Sequence, residues 1–455
     1  MLVVLLLSGV SFALSQTLVI PALPQIARDF DATATETSWL LTGFLLSASV
    51  ATPIVGKLGD LYGKGRVLTA VMAVFSVGAV INALAGSIEV LIAGRVLQGV
   101  AAGVFPLAFG IVRDTFPPER IPAGLGLVSA IFGIGGGIGL PLSGVVVDNA
   151  DISWLFWISL IAVPAAVAAH FLIPPSPTRS GTRIDWLGAV LLSGALACIL
   201  LGVSEADDWG WGSAANVGCI ASGIVLAVVF VVAESRVDQP LIDLDVLRRP
   251  AVAATNLTAF LVGLAMFASF LLIPQFAQTP ERAGYGFGAS VTVAGLLLLP
   301  AAVAQLAAGP FAGRLGTQIG HRTVLSIGAV QIFVAFLWLT AEHGEEWQFL
   351  ITGALLGAGI SFCFASMANL IVDAVPQSQV GIATGINTVM RTVGGSFGAA
   401  IATAILAGST SGGGLATEGA YTAAFAFSAV AGLFALGAAL LVPRQPAPVA
   451  EPVGA

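Results

Sequence analysis

Charge is what this sequence has least of. Only 9% of its 455 residues are Asp, Glu, Lys or Arg, whereas 57% are hydrophobic; a soluble domain carries roughly 25% charged residues. Surface grows slowly with chain length, so a water-soluble protein of this size would still need a polar exterior that these side chains cannot supply. Lipid is therefore the expected solvent for most of the chain. Cysteine is scarce too. Cys198, Cys219 and Cys363 each stand alone in an apolar run, without the spacing of a metal site or a disulfide framework, and read as small core hydrophobes. His170, His321 and His343 are scattered, and Asp207-Asp208 has no histidine or second acidic motif to work with. A membrane-embedded lipid enzyme needs such a cluster, so no enzyme, metal or cofactor is expected. A formal net charge of -7 and the lack of a Lys/Arg block argue against a nucleic-acid partner.

What the chain has instead is long apolar runs. A bilayer-crossing helix needs about 20 such residues, and they occur at residues 2–24, 37–55, 67–85, 90–112, 121–147, 152–173, 184–203, 214–233, 252–276, 290–311, 324–340, 347–372, 382–406 and 420–442. Fourteen spans are expected. The runs are continuous and about twice as long as a barrel strand needs, which makes them helices. The first has no basic leader and runs on through Pro21 and Pro24, so it reads as a retained span rather than a signal peptide.

Placing the loops alternately on two sides puts Lys57, Lys64, Arg66, Arg113, Arg120, Arg179, Arg183, Arg236, Arg248, Arg249, Arg314, Arg322 and Arg444 on one side, and only Arg28 and Arg282 on the other. The positive-inside rule makes the first side, with both termini, cytoplasmic. Two arginines, Arg95 and Arg391, fall inside spans, where a charge costs at least ~2.5 to 3.5 kcal/mol and marks a functional position by default.

The segment Pro53-Ile54-Val55-Gly56-Lys57-Leu58-Gly59-Asp60-Leu61-Tyr62-Gly63-Lys64 recurs as Pro310-Phe311-Ala312-Gly313-Arg314-Leu315-Gly316-Thr317-Gln318-Ile319-Gly320-His321. Leu91-Ile92-Ala93-Gly94 and Leu350-Ile351-Thr352-Gly353 echo each other at nearly the same offset. The chain is thus a duplicated unit. Each long copy ends a span and forms a short link to the next, in which glycines let the backbone turn and let helices approach closely.

On these residues the sequence resembles the major facilitator superfamily, whose signature link between the second and third helices has the form G-x-L-a-D-r-x-G-r-k-r. Gly56, Leu58, Asp60, Gly63, Lys64 and Arg66 match it; Leu61 and Gly65 replace two of the usual basic residues. Arg95, Gln98 and Gly99 match the family's arginine-bearing fourth helix. Fourteen spans, with the linker Gln239-Pro240-Leu241-Ile242-Asp243-Leu244, resemble the drug:proton antiporter branch typified by EmrB and QacA. The resemblance implies a gating role for Gly56, Asp60, Gly63, Lys64 and Arg66 and for Gly313, Arg314 and Gly320 in the second copy. Two departures stand out. Ser15, in Leu14-Ser15-Gln16-Thr17, occupies the place of that branch's first-helix aspartate, and the antiporter motif of the fifth helix survives as Pro141 and Gly144 within a glycine-rich run that includes Gly135 and Gly139.

Arg95, Gln98 and Gly99 share one helix face, as do Asn387 and Arg391 with Thr384. A guanidinium on such a face either binds substrate in a central cavity or ties backbone carbonyls of neighbouring helices together. Ser8, Ser11 and Ser15, with Gln16 beside them, form a stripe that suits close packing or cavity lining. Met266, Phe267 and Phe270, with Phe362, Phe364 and Met367, make either an aromatic wall or ordinary core. No carboxylate sits deep in a span; Asp114, at a span end, is a possible terminal proton site. Buried arginines without buried acids favour an anionic or neutral substrate.

The expectation is an all-α membrane protein of the major facilitator fold, with two six-helix bundles plus two extra transmembrane helices. The bundles cover residues 1–175 and 239–443, the extra pair 176–238, and a short cytoplasmic tail 444–455. Its expected work is proton-coupled efflux of small amphipathic compounds across the cytoplasmic membrane, by a monomer that uses the proton gradient and needs no cofactor. The rival is a carrier of an anionic or neutral metabolite.

Overall fold

A computed structural model describes residues 1–32, 34–173, 185–237, 240, 242, 244–376, 379–409 and 415–443. The tail from 444 and the basic residues Arg179 and Arg183 lie outside these. Among the described residues, fourteen longer helices organise the chain: α1 Leu2–Leu18, α2 Ala34–Tyr62, α3 Lys64–Ala83, α4 Ile88–Thr115, α5 Ile121–Asn149, α6 Ser153–Leu172, α7 Trp186–Ser204, α8 Ala214–Glu234, α9 Pro250–Gln278, α10 Thr292–Ile319, α11 His321–Ala341, α12 Glu346–Ala374, α13 Val380–Ala407 and α14 Glu418–Leu441. Among the described residues, 12 helices are long and apolar enough to cross a membrane, not the fourteen expected. The two outside that count are α1, at 17 residues, and α5. Pro21 and Pro24 account for the short α1: a turn at 19–22 ends it, and a separate helix, Leu23–Asp29, carries the chain on.

Packing repeats between the two ends of the chain. In the first six helices α1 lies on α5 and α6, α2 on α4, and α3 on α4 and α6; in the last six α9 lies on α13 and α14, α10 on α12, and α11 on α12 and α14. Each pair in one set has its counterpart in the other, which is a pseudo-twofold relation between two six-helix bundles. The seams between the bundles obey the same relation, α5 against α10 and α13 against α2. The extra helices α7 and α8 pack on each other, and α7 also touches α2 and α13, one from each bundle.

Small residues set the spacing. A Cβ on Gly99 of α4 would strike the backbone of Phe44 in α2, and one on Gly357 of α12 would strike Ala301 in α10, so corresponding helix pairs touch through glycine in both bundles. Outward faces carry apolar side chains such as Phe171, Val303 and Phe434. In water they would be a liability; against acyl chains they are ordinary.

The segment expected to form a short link is different. α2 continues through Tyr62 and α10 through Ile319, and each chain reversal is made at a single residue, Gly63 (φ 95°) or Gly320 (φ 88°). Gly56 and Gly313 are helical, and their missing side chains serve close approach rather than turning. Within these two segments only the terminal glycines, Gly63 and Gly320, have the positive φ that other residues avoid.

Candidate functional site

Between the bundles lies a narrow cavity of about 30 Å³. α1 contributes Phe12, Gln16 and Thr17, α4 contributes Phe105, α9 contributes Met266, Phe267 and Phe270, and α13 contributes Thr388, Arg391 and Thr392. Phe12 stacks on Phe44 (centroids 5.3 Å apart) and meets Phe105 edge-on (5.8 Å). Arg391 is the only charged residue among the described residues of this lining. Its guanidinium carbon sits 4.6 Å from the centre of the Phe364 ring, an arrangement in which the ring quadrupole stabilises the cation.

Arg95 occupies a different environment. It has no solvent exposure, and its guanidinium donates to the backbone oxygens of Leu40 (3.1 Å) and Ser15 (2.9 Å), to Ser15 Oγ (3.0 Å) and to Gln98 Oε1 (3.1 Å). Gln98 Oε1 also accepts from Asn82 Nδ2 at 2.9 Å, and the Phe44 ring centre lies 4.1 Å from the guanidinium carbon. Arg95 thus ties α1, α2 and α4 together. A hydrogen bond donated by a charged group contributes about 1.5–3 kcal/mol. Arg95→Leu is expected to lower the thermal midpoint of the purified protein by several degrees. Arg95→Lys should recover only part of this, because an ammonium cannot reproduce the planar fork; full recovery by lysine would contradict the assignment.

The remaining expected residues fall into three groups. Gln16 and Arg391 line the cavity, whereas Ser15 belongs to the Arg95 network. Asn387 donates to Asn256 Oδ1 (3.0 Å) and Thr255 O (3.4 Å), joining α13 to α9. The glycines of α5 pack against α1: a Cβ on Gly135 would meet Ala13 O at 2.6 Å, Thr17 Oγ1 donates to Gly135 O at 2.6 Å, and Thr17 also fills the space over Gly139. Further along α5, past Pro141, a Cβ on Gly144 would meet Thr292 Oγ1 of α10 at 2.7 Å, so one face of the bundle seam closes there.

The opposite, basic end is closed as well. A Cβ on Gly56 would meet Gly381 O of α13 at 2.6 Å, and one on Gly381 would meet Gly56 O at 2.9 Å; Gly126 against Gly309 and Gly313 against Pro122 repeat the contact between α5 and α10. Beside it Lys64 Nζ lies 2.8 Å from Asp114 Oδ2 and 3.5 Å from Asp60 Oδ1, with all three side chains buried. Arg113 donates to Val375 O across the bundles at 3.2 Å, and Lys57 donates to Pro240 O at 3.1 Å. Arg66 and Arg314 are exposed. In the second copy His321 stands where Lys64 stands in the first, and Thr317 where Asp60 stands, so only the first bundle has the lysine clasp.

Sequence reasoning missed Phe12, Phe105, Thr388 and Thr392 as cavity residues. The spacing of Thr384, Thr388 and Thr392 with Arg391 was a usable signal: residues four apart on one helix face continue the Arg391 stripe. The aromatic wall is split, since Met266, Phe267 and Phe270 line the cavity while Phe362, Phe364 and Met367 are buried in α12.

Two mirrored helical bundles enclosing a polar-spotted cavity define a membrane transporter scaffold. Residues 5–279 and 255–455 each match the Major Facilitator Superfamily, and the chain belongs to that family. It is 30% identical over 85% of its length to an uncharacterised MFS-type transporter of Mycobacterium tuberculosis, Rv1877, and spans only 56% of that relative's length. To the tetracenomycin C resistance and export protein of Streptomyces glaucescens it is 28% identical, over 87% of this chain and 73% of that one. Among solved structures, that of the human organic anion transporter MFSD10 (TETRAN) superposes with a TM-score of 0.70 at 15% identity, covering 96% of this chain and 98% of that one. This last likeness is one of fold.

Proposed function

We propose that the chain exports small amphipathic compounds by alternating access, in exchange for protons, as a monomer in the cytoplasmic membrane with both ends in the cytoplasm. The observation that carries the reading is the aromatic-walled cavity between the two related bundles, with glycine-on-backbone seams at its basic end and Gly144 against Thr292 at the other. Such seams have little side-chain interlock to break, which suits bundles that rock about a fixed site. The basic end is then the cytoplasmic one. In this reading α1 and α5 also cross the bilayer, giving fourteen spans. Their support is the direct packing of α1 on α5 and the Thr17 bond to Gly135. The bundles then extend over 1–175 and 239–443, with α7 and α8 between them.

The relative from Streptomyces glaucescens is a resistance and export protein, which favours export over uptake here. Cells expressing the chain are expected to accumulate less of an amphipathic fluorescent compound than cells without it, and dissipating the proton gradient should abolish the difference; equal accumulation in both would contradict the reading. A second reading, a carrier without proton coupling, is favoured by one observation: no Asp or Glu is found among the described residues of the cavity lining. Substrate-dependent pH change inside proteoliposomes separates the two. Antiport changes lumenal pH in step with flux, and a simple carrier leaves it constant.

A further inference from the structure

We infer that His321 is a proton-binding site at the basic end, and that a proton taken up there makes it a second-bundle counterpart of Lys64 which draws on Asp373 and loosens the closed seam. The two internal repeats fix the correspondence. The segment that starts at Pro53 places His321 where Lys64 stands and Thr317 where Asp60 stands, and the echo that starts at Leu91 runs on to place Asp373 where Asp114 stands. One acid of the clasp is kept and one is lost. The lysine gives way to a side chain whose charge turns on and off near neutral pH. Local folding is shared: Lys64 follows Gly63 and His321 follows Gly320, the two reversal glycines, and each side chain folds back over a glycine of the preceding helix, Gly59 or Gly316.

The surroundings of His321 give its charge something to act on. The residue is only 7% exposed, and its Nδ1 is buried with no hydrogen-bond partner among the described residues. With Asn369 and Asp373 of α12 and Thr317 and Gln318 of α10, it lines an open groove of about 610 Å³ that reaches Arg113 of α4 and Pro122 of α5 in the other bundle. Arg113, His321 and Asp373 are the titratable groups among the described residues of this lining. Two further cations stand nearby: Arg322 donates to Leu440 O of α14, and Arg249 donates to Ala374 O at the end of α12. Asp373 lies within electrostatic reach of both Arg113 and His321. Arg113 ties the bundles together through Val375 O, just past α12, so the Asp373 charge supports that tie. A proton on His321 divides the field of Asp373 between two cations and adds positive charge to the groove that holds Arg113. Like charges at such a poorly solvated edge repel more than they would in water. Arg113 is then held less firmly, and the basic end opens more easily.

Nuclear magnetic resonance of the full chain in detergent, with isotope-labelled histidine, follows the proton directly. The His321 signal, identified by its loss in His321→Gln, is expected to titrate between about pH 5 and 8. In Asp373→Asn it should titrate at lower pH, because removing the carboxylate withdraws support from the charged imidazole. The gate is followed by the electron-paramagnetic-resonance distance between spin labels at Arg120 and Gln318, both exposed and one on each bundle, with Cys198, Cys219 and Cys363 replaced. That distance is expected to lengthen on acidification with the same midpoint as the imidazole, and to stay constant over this range in His321→Gln. The wild-type titration and the wild-type distances stand as tests even if the variants fold poorly. An imidazole that does not titrate in this range, a midpoint unmoved by Asp373→Asn, or a distance that ignores pH, shortens on acidification or responds equally in His321→Gln would overturn the proposal. Neither readout uses a transported compound, so its failure is separate from failure of the export reading.

Discussion

Lys64→Ala is expected to be among the most damaging single substitutions in the chain. Lys64 sits between Asp60 and Asp114 with side-chain exposures of 3–5% for the three groups, and its stem crosses Gly110, where any side chain would collide with it. Removing the ammonium leaves two buried carboxylates near each other without their cation. Breaking a buried ion pair from one side typically costs about 3–5 kcal/mol, far more than the intact pair contributes. The expected result is a fall in thermal midpoint together with loss of transport. Asp60→Asn and Asp114→Asn in the same background remove the orphaned charges, so the triple variant should regain much of the stability. Thermal unfolding of the detergent-solubilised protein checks this. Equal stability of the single and triple variants would show that the three groups are not energetically coupled.

A second large effect is expected at the seam between α2 and α13. Gly56 and Gly381 approach so closely that a Cβ on either meets the other's backbone, and backbone cannot swing aside as a side-chain tip can. Gly56→Leu forces the helices apart by more than a methyl group; overpacking of this kind costs about 1–3 kcal/mol even in cores that adjust. Here the adjustment available is separation of the bundles at their basic end, so the cost falls on the closed form. The variant should lose transport at least tenfold, and a cysteine placed in the cavity at Thr392 should react faster with a thiol reagent supplied from the basic side. Unchanged reactivity with normal flux would mean that the seam does not open there.

Much of this fold was legible in the sequence, because lipid imposes a one-dimensional signal: each apolar run becomes a helix, and its length reports the bilayer. The duplicated Pro-to-Gly segment likewise announced two related bundles. Less legible were features set by contact across the chain. Reading 53–64 as a link missed that α2 stays helical to Tyr62, because glycine in a helix can signify close packing as readily as a turn. The two intramembrane arginines look alike in sequence, and only their neighbours, Ser15 and Leu40 for one and the cavity for the other, distinguish them. Lys64 read as a basic residue of a cytoplasmic link, and its burial between two acids is set by contacts across the chain. Asp114, noted as a possible proton site, proves to be one of those acids.

The central claim is that the two bundles rock about the cavity, so that one end opens as the other closes. It is tested most directly by electron-paramagnetic-resonance distances in a background with Cys198, Cys219 and Cys363 replaced. One spin-label pair goes at Arg120 and Gln318 at the basic end, another at Asn149 and Glu281 at the far end; all four residues are exposed. On shifting pH or adding substrate, the two distance distributions are expected to change in opposite directions. Distances that stay fixed at both ends during active transport, or that lengthen together, would contradict the account.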